Sequence, residues 1–561
     1  MIYFFTSFIY IFLIISITQY FKYINKFDCD FNFLNAFILI SFLLFLFNGN
    51  DLIIFFFLII LTFIAYKNNN NYLDNKTINF IIYLSIIIFF SYNRYFLDED
   101  ELTFWGINSK YLYFSKFLSE DDIFINNYYF IPYHSLLIPS FKSLLINIFS
   151  VQEDVLIMLN NLIILVLFFS IFILKKNNLI FFIYFAIFYL LLNLFSFGLN
   201  SIYVDIIVVL FSCLLCKKII YSDFKFKYNF NSFNIFVIII FIPLIHRIGY
   251  LFVFIILLNY LLLNLKHILL NKFTFISFSL FSSVLIFFFI TRSNLFYIDQ
   301  INSLSLDLKL FISELLLYTK QVIYFDTPYI KLFSLINDLF LFFKIGFELP
   351  LYNIKIYHVI IIYVIINLIF FKKSKYIYLN FLNFIIFFLV IFTTKILLET
   401  NLHPYASVRY LMLFFLFDFI VKLSLKFKST SDKKYIISLL VVLLVLSPSK
   451  SVGFFLPQKI YLFNKENNDY FVYLNRLKEI KKKYEPLNKY EFYLVNDDKL
   501  TSIENSRVIY EFYPVIQKFN NSILTTKEFE KLSPSNDKKV IVLTNENLIK
   551  KKKSFIIEKL K

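Results

Sequence analysis

The amino-acid sequence predicts an all-α polytopic membrane protein of about fourteen transmembrane helices, followed by a small C-terminal extracytoplasmic α/β domain. Of the 561 residues, 59% are hydrophobic and only 17% are charged, and the mean hydropathy is +0.72. Soluble globular proteins are about half apolar and about a quarter charged. The apolar residues also form long uninterrupted blocks. These observations argue against an ordinary soluble globular protein.

The predicted transmembrane helices are apolar blocks of roughly 15 to 20 residues bounded by charges, the length that crosses a hydrocarbon core of about 30 Å. They lie near residues 2–20, 33–47, 52–66, 78–93, 155–174, 179–197, 203–216, 233–243, 249–265, 273–290, 355–371, 379–397, 408–424 and 435–447. The first block lacks a basic leader and a small-residue cleavage site, so we expect a retained first helix and no cleaved signal.

Lysine clusters predict which ends of the helices face the cytoplasm. If the spans alternate, the loops on one side hold about twenty lysines against about five acids, and the positive-inside rule makes this the cytoplasmic side. These lysines include Lys217 to Lys227 and Lys422 to Lys434. The opposite side faces the periplasm or the cell exterior, which indicates an integral multi-pass protein of the inner (plasma) membrane.

Three regions follow from this topology. Residues 1–77 are additional N-terminal helices, and residues 78–447 are the main transmembrane domain with outer loops 94–154 and 291–354. Residues 448–561 form the extracytoplasmic domain. There, strand-like runs alternate with Asn, Asp, Ser and Lys clusters, which is typical of a small α/β domain. The runs are YEFYLV (490–495), RVIYEFY (507–513) and KVIVLT (539–544).

The charge and the cysteines exclude two classes of protein. The net charge of +17 is explained by basic loops that orient a multispan protein, so no nucleic-acid partner is expected. Three cysteines cannot make a disulfide framework. Cys213 and Cys216 form a CxxC with no second pair to complete a zinc site, which favours two idle thiols over a metal or redox centre.

The arginines are distributed against the positive-inside trend. The chain has six, and the predicted topology places all of them on the outer side: Arg94, Arg247, Arg292, Arg409, Arg476 and Arg507. Because this chain otherwise uses lysine for positive charge, a retained arginine suggests a need for the planar guanidinium, which binds phosphate bidentately. The alternative is that Arg94 and Arg292 are interfacial anchors at helix ends. Together, the outer arginines favour an anionic ligand.

An acidic segment is the clearest candidate for chemistry. The stretch LDEDELTFWGINSK (97–110) follows the span that ends near residue 92 and contains Asp98, Asp100 and Glu101 beside the only tryptophan, Trp105. A carboxylate at the membrane surface can act as a general base on an acceptor hydroxyl. The alternative is a solvated acidic turn with an interfacial Trp. The acids could also hold Mg²⁺ or Mn²⁺, as hard oxygen sites do.

Other polar residues lie on the same predicted face. Asp205 is one of very few acids in an apolar segment, and such acids usually face the interior of a helix bundle and mark a function. The remaining candidates are His246 with Arg247 in PLIHRIGY, where a glycine allows close packing, His134 in IPYHSLLIP, and His403 with Arg409 in NLHPYASVRY. A lone interfacial histidine is more often a local hydrogen-bond partner than a catalyst.

The order and content of these motifs resemble the GT-C superfamily of polyprenyl-phosphate-sugar-dependent membrane glycosyltransferases, which includes dolichyl-phosphate-mannose mannosyltransferases and aminoarabinose transferases. The family's Asp-Glu-x-Ser-His-Trp loop is matched by residues 100–105, where Phe104 replaces the His, and Lys110 stands where a downstream Lys is expected. Residues 128–145 resemble its Tyr-Pro-Pro-rich stretch, with His134 in place of a Pro. HRIG resembles a Lys-Pro-x-Gly turn, and Ser407, Arg409 and Tyr410 resemble a Ser-x-x-Arg-Tyr element.

The resemblance spans roughly residues 78–425 and implies that 78–447 is a catalytic domain. It implies inverting transfer of a sugar from a polyprenyl-phosphate donor to a glycan, lipid or protein acceptor at the outer membrane face. The implied catalytic residues are Asp100 as base, with Glu101 or Asp98 as helper. The implied donor-phosphate ligands are Arg409, Arg247, His246 and Arg94, and the implied substrate contacts are Trp105, Lys110, His134, Asp205 and Tyr410.

No metal or other cofactor is required by this chemistry, because cations of the protein can stabilise the departing phosphate. Two alternatives remain. An O-antigen ligase or polysaccharide polymerase would also use outer-face Arg and His, but relies more often on one large late outer loop. A transporter or flippase would place its polar residues near the membrane midplane on broken helices, often with internal repeats.

Overall fold

A computed structural model of the protein describes a set of helices and two small sheets. The described residues are 75–91, 153–172, 178–195, 204–221, 230–246, 248–270, 308–333, 352–371, 377–398, 404–426, 446–448, 465–496, 500–512, 523–531, 539–545 and 555–560, together with a few isolated positions elsewhere.

Ten helices lie in the described part of residues 75–426. In chain order they are α1 (Asn75–Ser91), α2 (Glu153–Ile171), α3 (Asn178–Phe195), α4 (Asp205–Ile219), α5 (Phe230–Ile245), α6 (Ile248–Leu270), α7 (Leu308–Ile323), α8 (Ile356–Phe371), α9 (Ile377–Leu398) and α10 (Pro404–Lys426). With the exception of α7, each coincides closely with a predicted apolar block. The blocks near 2–20, 33–47 and 273–290 lie outside the described residues, as does 435–447 up to residue 445, and 52–66 is described only at isolated positions.

The prediction of about fourteen transmembrane helices is wrong. Among the described residues, only α2 is both long and apolar enough to cross a membrane, and 94% of its apolar window is buried inside the protein. Other apolar runs are short, 10–17 residues, as in Ile78–Ile88 and Phe182–Leu192. In α6 the apolar run ends at Asn264, whose backbone leaves helical geometry. Composition misleads here because a helix that is apolar all round can be buried in protein as well as in lipid.

Helices α4 and α10 run parallel and form the centre of the bundle. Two contacts 204 residues apart in sequence define their register: Asp205 with Arg409 near the start of both helices, and Cys213 Sγ donating to the Phe417 carbonyl at 3.4 Å. Their facing side chains are almost entirely buried. This pairing brings the first turns of two distant segments together.

Two lysines predicted to lie in cytoplasmic loops are instead buried in helices. Lys217, in the last turn of α4, donates to the Ile171 carbonyl at the end of α2. Lys422, inside α10, pairs with Asp418 one turn earlier and donates to Asn367 of α8. A lysine near a helix C-terminus can satisfy terminal carbonyls, so these two positions carry no information about a membrane side.

A small antiparallel sheet lies beside the helices. It contains β1 (Asp326–Leu332), β2 (Tyr352–Lys355) and β3 (Leu446–Pro448), in the order β2-β1-β3. Buried Thr327 fastens β1 to β2 by donating to the Ile354 carbonyl at 2.6 Å. Along the chain, β1 closely follows α7, and β2 leads directly into α8.

The C-terminal residues form a parallel sheet covered by helices. It contains β4 (Tyr490–Val495), β5 (Ile523–Leu524), β6 (Lys539–Thr544) and β7 (Phe555–Lys559), in the order β5-β4-β6-β7, with α11 (Lys465–Lys483), α12 (Ser502–Phe512) and α13 (Thr526–Lys531) around it. Alternate residues of β4 and β6 face opposite sides. Phe492 and Ile541 join the main core, whereas Val495 and Val542 join a second cluster against Phe529 of α13.

The predicted strands YEFYLV and KVIVLT are confirmed as β4 and β6, but the predicted strand at 507–513 is wrong. Most of that run lies in helix α12. Its start is set by a capping box in which Thr501 N–H donates to Glu504 Oε2 at 2.9 Å and Glu504 N–H donates to Thr501 Oγ1 at 3.3 Å. A Thr-x-x-Glu pattern before an apolar run is a known helix signal, and here it outweighs the β-rich composition.

One buried ion pair joins the C-terminal residues to α2. The Arg507 guanidinium, which is 0% exposed, donates to both carboxylate oxygens of Glu153 at 2.7 and 2.6 Å. Glu511, one turn further along α12, lies 3.4 Å from the same guanidinium. The aromatic face of Tyr510 lies 5.6 Å from its centre. This cluster fastens α12 to the first turn of α2.

Candidate functional site

Three of the predicted site residues meet around one carboxylate. Asp205 is the first residue of α4, Arg409 lies in the second turn of α10, and His246 lies at the turn between α5 and α6. Arg409 Nη2 donates to Asp205 Oδ2, and His246 Nδ1 lies 3.5 Å from the other oxygen, Asp205 Oδ1. The two oxygens of Asp205 are therefore shared between a guanidinium and an imidazole.

Each partner reaches the site because of its local backbone. Asp205 opens α4, where the positive end of the helix dipole favours a carboxylate. The α5–α6 turn is closed by Gly249, whose N–H donates to the His246 carbonyl at 2.9 Å. A Cβ at this position would lie 2.5 Å from the backbone oxygen of Ile242. Only glycine allows this close approach, and it sets the position of His246.

The imidazole of His246 is held through its Nδ1 atom. The Ile248 N–H lies 3.3 Å from this nitrogen, and Asp205 Oδ1 lies 3.5 Å from it. These two contacts fix the orientation of the ring beside the carboxylate.

Burial distinguishes Arg409 from the other two residues, because the side chain of His246, like that of Asp205, is almost completely buried. The side chain of Asp205 is 5% exposed, whereas that of Arg409 is 20% exposed. A carboxylate held out of water anchors the guanidinium, and the guanidinium has five N–H donors in a fixed fork. Chemically, this arrangement suits an oxyanion that approaches from the Arg409 side.

A second contact holds the start of α10 from another direction. The Tyr318 hydroxyl of α7 and the Ser407 hydroxyl lie 2.8 Å apart, and both side chains are buried. The neighbouring Tyr410 is half-buried. Ser407 and Arg409, which are separated in the sequence by Val408 alone, thus have separate partners.

Most of the other predicted site residues lie outside the described residues: Asp98, Asp100, Glu101, Arg94, Arg247, Trp105, Lys110 and His134. Next to them in sequence, Leu102 is described and belongs to the main core.

Sequence reasoning missed a buried polar cluster deeper in the bundle. Asp418 and Lys422 of α10 pair at i, i+4, Lys422 also donates to Asn367, and its ammonium lies 5.0 Å from the ring centre of Tyr363. The signal was available, because two opposite charges one turn apart in the apolar stretch LMLFFLFDFIVKL are unusual. The assignment of Lys422 to a cytoplasmic loop is wrong, because this lysine lies inside α10 and pairs with Asp418.

The CxxC cysteines lie in α4 as buried free thiols. Among the residues that the structure describes, no group of three or more His, Cys, Asp or Glu side chains could hold a metal ion. Within that part of the chain the Asp205 site therefore rests on charge and hydrogen bonding.

Comparisons with known proteins add no relative. No protein-family model matches the chain, and neither the curated proteins nor the solved structures contain a significant match.

Proposed function

We propose that this chain is a membrane-associated glycosyltransferase that transfers a sugar from a polyprenyl-phosphate donor to a glycan, lipid or protein acceptor of the cell envelope, with inversion, on the extracytoplasmic face. The observation that carries the proposal is the meeting of Asp205, His246 and Arg409. The motif resemblance implies that all three are donor-phosphate or substrate ligands.

The charges of this group suit a phosphate that gains charge during the reaction. As the bond between the anomeric carbon and the phosphate oxygen breaks, its electron pair moves onto that oxygen, and a phosphodiester becomes a monoester with one more negative charge. Arg409, held by Asp205, and His246 would stabilise that charge, with Arg247 and Arg94 as further cations. Donors aimed at developing charge are worth about 10²- to 10³-fold in rate.

The acceptor side of the reaction is assigned to the acidic segment. Asp100 would remove the proton of the attacking hydroxyl, helped by Glu101 or Asp98, while Trp105, Lys110, His134 and Tyr410 would contact the substrates. The reaction needs no metal, since cations of the protein meet the charge of the leaving phosphate. A Mg²⁺ or Mn²⁺ ion on the acids is the variant that a chelator would reveal.

Exposed apolar side chains favour contact with lipid. On α8 and α9 they include Ile361, Ile365, Ile385 and Leu389, each about half exposed. Contiguous exposed apolar surface is uncommon on soluble monomers and marks interaction with membranes or partners. A polyprenyl donor and the surrounding membrane lipid fit this surface.

The test is transfer of radiolabelled sugar from a panel of polyprenyl-phosphate sugars in membranes that contain the protein at matched levels. We expect Arg409→Ala and Asp100→Asn each to lower the transfer rate by about 100-fold. Arg476→Ala is the matched control, because this arginine is 42% exposed and lies in α11, away from the site. Its rate should equal that of the wild type.

Two other outcomes would redirect the assignment. Transfer that survives Asp100→Asn but not Arg409→Ala would favour an O-antigen ligase or polymerase, in which the acidic segment is only a solvated turn. Absence of transfer from every polyprenyl-phosphate sugar would refute the glycosyltransferase proposal. Loss of activity with EDTA and its recovery with Mn²⁺ would add a metal to the acidic segment.

A further inference from the structure

Helix α7 contacts the start of α10 through one buried hydrogen bond. The Tyr318 hydroxyl lies 2.8 Å from Ser407 Oγ. The Tyr318 ring packs edge-on against Phe392 of α9, with 5.3 Å between the ring centres. The ring is therefore held in place by α9, and its hydroxyl is aimed at α10.

Ser407 and Arg409 point to different sides of the same helix. Two residues along an α-helix correspond to a rotation of about 200°. Ser407 accordingly meets α7, whereas Arg409 meets Asp205 of α4. The two contacts therefore hold the first turns of α10 from two sides.

We infer that Tyr318 is a positioning residue for Arg409, and that through it α7 ties residues 308–333 to the anion site. The inference rests on the proposed role of Arg409 as the ligand of the donor phosphate. Arg409 has a long side chain, and its reach depends on where its backbone is held. A displacement of about 1 Å at a reacting group can lower a rate by about 100-fold.

Helix α7 lies at the surface of the molecule, so a movement of this helix could reach the anion site through Tyr318. The side of α7 opposite Tyr318 is exposed and includes Ile312, Leu316 and Leu317. A surface helix whose buried hydroxyl bonds the start of α10 would transmit its own displacement to Arg409. Removal of that hydroxyl alone should therefore weaken phosphate binding while the apolar packing of Tyr318 persists.

The experiment measures equilibrium binding of tritiated undecaprenyl phosphate to the purified full-length protein in detergent, with undecaprenol, which lacks the phosphate, as the comparison lipid. We expect Tyr318→Phe and Ser407→Ala each to weaken binding of the phosphate lipid about fivefold to tenfold, the loss of one buried hydrogen bond. Binding of undecaprenol should not change. The matched control is Tyr324→Phe, because this tyrosine follows the same helix but is 58% exposed.

A double variant separates positioning from general damage. In an Arg409→Ala background, Tyr318→Phe should produce no further loss of binding, because the group that it positions is gone. An equal loss in both backgrounds, or an equal loss of undecaprenol binding, would overturn the inference. So would unchanged binding in both Tyr318→Phe and Ser407→Ala, which remove the same bond from opposite sides.

The outcome also separates this inference from the proposed reaction. Phosphate-dependent binding that follows the predicted cycle, without sugar transfer from any donor, would refute glycosyl transfer and retain the positioning role. Wild-type protein that binds undecaprenyl phosphate no better than undecaprenol would overturn the positioning role.

Discussion

Replacement of Arg507 by methionine should detach α12 from α2. The guanidinium is fully buried and makes two hydrogen bonds to Glu153, so its removal leaves a buried carboxylate without its main partner. Breaking a buried ion pair from one side costs about 3–5 kcal/mol. Glu153 lies in the first turn of α2, where the helix dipole stabilises a carboxylate by about 0.3–1 kcal/mol and so offsets part of this cost. We therefore expect a loss of about 3 kcal/mol in the free energy of unfolding.

Denaturant unfolding of the detergent-solubilised full chain would measure this loss. Arg476→Met is the matched control: this arginine is 42% exposed, and Glu558 keeps Lys483 and Tyr484 as partners when it is removed. An exposed pair is worth about 0–1 kcal/mol. The variant Arg507→Met/Glu153→Gln removes the stranded charge and should recover more than half of the loss.

The reasoning would be refuted if Arg507→Met and Arg476→Met lowered the free energy of unfolding equally. It would also fail if the double variant were as unstable as the sum of its two single changes, because the coupling between Arg507 and Glu153 would then be absent. Hydrogen exchange of α12 provides a local measurement. Its amides should exchange faster in Arg507→Met and should remain protected in Arg476→Met.

Three further outcomes are expected. Gly249→Ala should destabilise the protein by about 1–3 kcal/mol in denaturant unfolding, because its Cβ would meet the Ile242 carbonyl at 2.5 Å; unchanged stability would show that the α5–α6 turn yields without strain. Burial alone would raise the pKa of Glu558, but hydrogen bonds from Lys483 and Tyr484 hold it below its ordinary value of 4.5. The stability that this carboxylate contributes is therefore complete above pH 4.5 and is lost as the pH falls through its lower folded-state pKa. Acid unfolding of Glu558→Gln should lack this pH-dependent loss of stability. An acid-unfolding curve identical to that of the wild type would contradict the expectation. Lys422→Met should lower the thermal unfolding midpoint by stranding its buried carboxylate partner, and adding Asp418→Leu should restore most of the loss, whereas a further fall would contradict it.

Local signals predicted much of the fold. The apolar blocks bounded by charges correctly marked helices such as α2 and α10, because burial of an apolar helix demands the same composition wherever it happens. The strands at 490–495 and 539–544 were also readable. The run at 507–513 lies mostly in a helix despite its β-rich residues, because the Thr-x-x-Glu cap at Thr501 starts α12 just before it.

For the candidate site, the sequence indicated the residue types but not their partners. Asp205, His246 and Arg409 stood out as polar residues in apolar surroundings. Their contact depends on the packing of α4 beside α10 and on the tight turn at Gly249. Tyr318 carried no signal at all, since it is one of 41 tyrosines and only the tertiary structure aims it at Ser407.

The sequence by itself determined a mostly helical chain, the positions of most described helices, and a set of rare polar residues suited to an anion. Only the tertiary structure decided what those helices pack against, and it overturned the predicted array of transmembrane helices. The physical reason is that hydropathy records how strongly a segment avoids water. It does not record whether lipid or other helices replace that water, nor which charges meet across a distance of 204 residues in sequence.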